Sequence, residues 1–84
     1  MGWEKYVDSI IARWDAGEES DAAAALREYP ELAHIQSAVV TLAYEEWCAR
    51  TERGETVECE SFCDAFGEDA DAVRRVLALH HLAT

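Results

Sequence analysis

The sequence predicts an all-α fold, a small orthogonal five-helix bundle, on two patterns carried by its 84 residues. Apolar side chains recur at i, i+3, i+4 and i+7, the spacing of one helical face, and nowhere alternate as a strand would require. The chain also matches itself when displaced by 37 positions, a period in the range of repeats built from a helix, a turn and a second helix. In that register Ala12, Arg13, Gly17, Glu18, Glu31 and Ala33 fall on Ala49, Arg50, Gly54, Glu55, Glu68 and Ala70. Asp21 falls on Glu58 and Tyr29 on Phe66. One domain over residues 1–84 follows, with repeat one at about 3–39 and repeat two at about 40–82.

The first helix places Trp3, Tyr6, Val7, Ile10, Ile11 and Trp14 on one face. It should stop near Ala16, because Gly17 can take the left-handed C′ conformation and Arg13 sets a cation against the negative end of the helix dipole. Gly54 and Arg50 repeat that device. Asp21 is a good N-cap for a short helix over about 22–28, and Glu58 is a poorer cap for its counterpart, which Gly67 should end. Pro30 suits the first position of a new helix. A long third helix is therefore expected from about Glu31 to Arg50, burying Ile35, Val39, Leu42, Ala43 and Trp47 and shared between the repeats. A fifth, about Ala70 to Leu82, uses Val73, Val76, Leu77 and His80.

Composition removes several classes of function. With 18 acidic and 7 basic residues the formal charge is −11, which repels phosphate backbones and anionic lipid headgroups, so neither nucleic acid nor membrane is an expected partner. A DNA-mimicking role is the weakest reading of the same charge. No stretch approaches the roughly 20 apolar residues of a membrane span, and the N-terminus is acidic where a secretory signal is basic and then apolar. The odd count of 3 cysteines closes no disulfide framework, which suits a reducing, cytoplasmic setting.

The order of a helix, "AGE" or "RGE", an acidic start, a short helix with an aromatic end and then "PE" or "GE" resembles a known region. "LAYEEWCARTERGETVECESFCDAFGEDADAVRRVL" is similar to the tandem helical segment that precedes the catalytic domain in many serine/threonine protein kinases of planctomycete-type bacteria. The likeness covers nearly the whole chain and rests on Tyr44, Glu45, Arg50, Gly54, Glu55, Glu60, Phe62 and Phe66, with Trp14, Gly17, Glu18 and Tyr29 in repeat one. It implies an accessory module of a signalling protein, docking a partner or an adjoining kinase domain. The kinase machinery itself is missing from the sequence: Lys5 is its one lysine, and it holds no glycine-rich phosphate loop, no His-Arg-Asp segment and no Asp-Phe-Gly.

Cys59 and Cys63, at i and i+4, share a helical face and with His80 and His81 could supply a tetrahedral zinc site. The favoured reading is that they pack as small apolar side chains, aligned with Ala22 and Leu26 of repeat one, while Cys48 aligns with Ile11. A Cys59–Cys63 disulfide would strain the helix. Nothing in the sequence fixes His34, His80 or His81 beside a thiol as a catalytic base. Carboxylate pairs such as Glu45 and Glu46 or Glu18 and Glu19 are unavoidable at this acidity and carry no information about catalysis. No catalytic residue, metal ligand or cofactor is therefore assigned. The expected function is a non-enzymatic interaction or regulatory module, steered by its charge toward a basic protein surface, with homodimerisation a secondary expectation. The alternatives are a stand-alone acidic helical adaptor and a small thiol or zinc protein using Cys59 and Cys63.

Overall fold

The computed structural model describes residues 2–83, and the side chains of 2–79. Five α-helices follow one another, α1 (Trp3–Asp15), α2 (Ala22–Glu28), α3 (Gln36–Glu52), α4 (Cys59–Asp64) and α5 (Ala70–Ala83), with 3-10 segments at Pro30–His34 and Gly67–Asp69 and no strand among the described residues. The Cα radius of gyration, 12.1 Å, is close to the ~12 Å of a compact chain of this length. The fold is all-α, as the apolar periodicity requires. No helix among the described residues is long and apolar enough to cross a membrane.

The two glycine stops share one geometry. Gly17 has φ 114° and Gly54 φ 86°. The Gly17 N–H donates to the Trp14 carbonyl at 3.0 Å and the Glu18 N–H to the Arg13 carbonyl at 3.2 Å. The Gly54 N–H donates to Thr51 at 3.0 Å and the Glu55 N–H to Arg50 at 3.1 Å. Both are Schellman closures, which satisfy the last carbonyls of α1 and α3 and turn the chain sharply. The helix starts differ as their residues predict. Asp21 accepts the Ala24 N–H at 3.0 Å and caps α2, whereas Glu58 makes no capping bond to α4 and instead accepts the Ser61 hydroxyl at 2.9 Å.

The third helix is shorter at its start than expected. Residues Pro30–His34 wind as a 3-10 segment, Ile35 is extended at φ −111° and ψ 102°, and α3 begins at Gln36. Pro30 lies at the start of the 3-10 segment and has no N–H to donate. The Ile35 carbonyl accepts from Ala38 and Val39 and so begins the α-helical ladder. Near the other end, α4 stops at Asp64, and Gly67, at φ 56°, opens the second 3-10 segment instead of closing α4.

The core gathers on α3. Val39, Leu42 and Ala43 are buried there, with Val7 and Ile10 from α1, Leu32, Phe62 and Cys63, and Val73 and Leu77 from α5. α3 packs against α1, α2, α5 and both 3-10 segments, and α4 packs on α5. Trp3, Ile11, Trp14 and Trp47 are half-buried around this cluster. Tyr6, expected on the inner face, is 49% exposed. Its ring leans on Tyr29 with centroids 5.8 Å apart, so the side chain lies along the edge of the core instead of within it. The inward placement expected for His80, and the position of His81, lie outside the described side chains.

Candidate functional site

The two Schellman turns deliver their following segments to the same side of the molecule. Glu19, Ser20 and Asp21 from the first, and Arg53, Glu55, Thr56, Val57 and Glu58 from the second, border a groove of about 480 Å³. Its floor is Phe62 and Phe66 of α4 and the following turn, and its back wall is Glu46 and Arg50 of α3. The aromatic floor is fixed by edge contacts, Trp47 to Phe62 at 5.6 Å and Phe62 to Phe66 at 5.4 Å between centroids.

Ion pairs set the charge of the rim. Arg50 Nη1 donates to Glu46 Oε2 at 3.0 Å and its Nε to Glu55 Oε1 at 3.0 Å, while Arg53 pairs with Glu55 at 2.9 Å. The same pairing recurs one register earlier, where Arg13 donates to Glu18 at 3.0 Å. In each turn the arginine and glutamate that close the backbone Schellman bond also close a side-chain pair. Hydrogen bonding to Arg50 holds the Glu55 carboxyl below its ordinary range. Glu19, Asp21, Glu46, Glu55 and Glu58 thus face only two guanidinium groups, Arg50 and Arg53, around the groove.

Glu46 is the residue whose position sequence reasoning missed. Set aside with Glu45 as an uninformative pair, it is only 7% exposed and accepts the Ala22 N–H at 2.8 Å through Oε1. Burial pushes its carboxyl above the ordinary 4.5, against the lowering effects of the Ala22 N–H and Arg50. The signal was present: Glu46 follows Leu42 by four and Ala43 by three, on the buried stripe of α3. With one oxygen on a backbone amide and the other on Arg50, this carboxyl is occupied in holding α2 to α3.

The cysteines are placed close to their expected roles. Cys63 is fully buried in the core, Cys59 and Cys48 are half-buried, and all three are free thiols. Cys59 Sγ and Cys63 Sγ lie 3.8 Å apart. Burial, with a smaller contribution from the hydrogen bond to Cys59, pushes the Cys63 thiol up to about 11. Among the described residues no three His, Cys, Asp or Glu side chains gather in a metal-binding group, and the His80 and His81 side chains of the zinc alternative lie outside them.

No protein family, curated protein or solved structure matches the chain.

Proposed function

We propose that the chain is a non-catalytic interaction module that docks a basic segment of a protein partner in the groove between its two glycine turns. The observation that carries this reading is the groove itself, where Glu19, Asp21 and Glu58 stand over an aromatic floor while Arg50 and Arg53 are held by Glu46 and Glu55. A cationic side chain with an apolar stem fits that chemistry, its stem against Phe62 and Phe66 and its charge among Glu19, Asp21 and Glu58. The net charge of −11 adds long-range attraction toward such a segment. A tandem helix-turn-helix unit preceding a bacterial serine/threonine kinase domain is the setting that the sequence resemblance suggests, and the partner is then the adjoining catalytic domain or a protein it regulates. The recurrence of the Arg-Gly-Glu turn at a spacing of 37 residues supports the two-unit description.

The test is binding of lysine- and arginine-rich amphipathic peptides, read by fluorescence polarisation. Saturable binding is expected that weakens with salt and is lost when the exposed rim is reversed by Glu19→Lys with Glu58→Lys. Binding that survives this reversal, or no binding by any basic peptide, refutes the groove as the docking site.

A further inference from the structure

Cys59 and Cys63 stand on successive turns of α4, one half-buried and one fully buried, with their sulfurs 3.8 Å apart. Small side-chain rotations would let both sulfurs reach a single ion. Zinc asks for a tetrahedral set of ligands, and no group of three potential ligands exists among the described residues. Thiolate sulfur in an apolar surround selects soft cations, copper(I) foremost, which are content with few ligands.

We infer that Cys59 and Cys63 form a two-coordinate site for copper(I). Binding breaks two S–H bonds, forms two S–Cu bonds and releases two protons to solvent, with no change of oxidation state. The bis-thiolate complex carries one net negative charge. Half-exposed Cys59 is the point of entry, and Cys63 closes the site from the core side.

The experiment is an anaerobic titration of the reduced chain with copper(I), supplied as its acetonitrile complex against a chromophoric copper(I) chelator. The wild type and Cys48→Ser are expected to take one copper per chain from the chelator and to show an ultraviolet thiolate-to-copper charge-transfer band. Cys59→Ala, which places at this site the residue found at the equivalent Ala22, should lose both while keeping its helical circular dichroism; Cys59→Ser gives a second test should the alanine variant fail to fold. A wild type that leaves the copper with the chelator overturns the assignment. So does a folded Cys59 variant that still binds, a Cys48→Ser chain that does not, or zinc(II) competing on equal terms.

Discussion

Glu46 and Ala22 are joined across the bundle by a buried hydrogen bond of 2.8 Å, the carboxylate of α3 accepting the first backbone N–H of α2. Asp21 takes the amide two residues further on, that of Ala24. The start of α2 is therefore satisfied partly by its own cap and partly by a residue 24 positions away.

Glu46→Ala should leave the Ala22 amide buried without an acceptor and cost about 1–3 kcal/mol, lowering the thermal midpoint by about 4–8 °C per kcal/mol in a domain of this size. Glu46→Gln keeps an acceptor oxygen and should cost less. The two variants also separate charge from hydrogen bonding. Because burial raises the folded carboxyl above 4.5, the folded chain holds this proton more tightly than the unfolded one, and the charge opposes folding at neutral pH. That cost is relieved as pH falls through the folded value toward 4.5. Urea midpoints should therefore shift in favour of the wild type over Glu46→Gln on acidification. Glu55, whose carboxyl is lowered by Arg50, acts with the opposite sign, and its contribution is lost as pH falls through its folded value.

The three positive-φ glycines should tolerate substitution unequally. A Cβ at Gly17, Gly54 or Gly67 meets no atom within 4 Å, so the penalty is backbone strain alone, roughly 1–2 kcal/mol for alanine. Gly67, at φ 56°, lies within the left-handed helical region where asparagine is at ease, and Gly17, at φ 114°, lies beyond it. Gly67→Asn should be nearly neutral in denaturant unfolding and Gly17→Asn clearly destabilising.

Helix capping offers a reciprocal pair of changes. Asp21→Ala should cost about 0.5–2 kcal/mol, because it removes the acceptor for Ala24. Glu58→Asp places a capping side chain where α4 has none and should stabilise by up to about 1 kcal/mol. Chemical denaturation of both variants measures the effects, and a Glu58→Asp chain no more stable than the wild type would show that α4 has no amide within reach.

Thiol labelling should follow burial. Cys63, wholly buried and with its thiol pushed up to about 11, should react with a maleimide only when the chain opens, while half-buried Cys48 and Cys59 react in the folded state. Peptide mass spectrometry at increasing reaction times gives the order.

What could be read from the sequence was local. The ends of α1 and α2, the turns at Gly17 and Gly54 and the contrast between Asp21 and Glu58 each depend on residues a few positions apart. The break at Ile35 was hidden because Leu32, Ile35, Val39 and Leu42 keep the spacing of one uninterrupted helical face. Glu46 was hidden by the company of 17 other acidic residues, and only its place on the stripe of Leu42 and Ala43 sets it apart. The groove depends on two loops separated by α2, the first 3-10 segment and α3, so no motif could announce it. Cys63 was legible as core through its alignment with Leu26, whereas its partner's partial exposure is a matter of tertiary packing.

The central place of α3 bears on the order in which the chain is made. The first two helices leave the ribosome before the residues that hold them: Val39, Leu42 and Glu46 are still to emerge when Ala22 is already outside. Nascent α1 and α2 have little of their own core to collapse upon and must wait for residues 36–52 to clear the exit tunnel, so translation past α3 is the event that commits the N-terminal half to its fold.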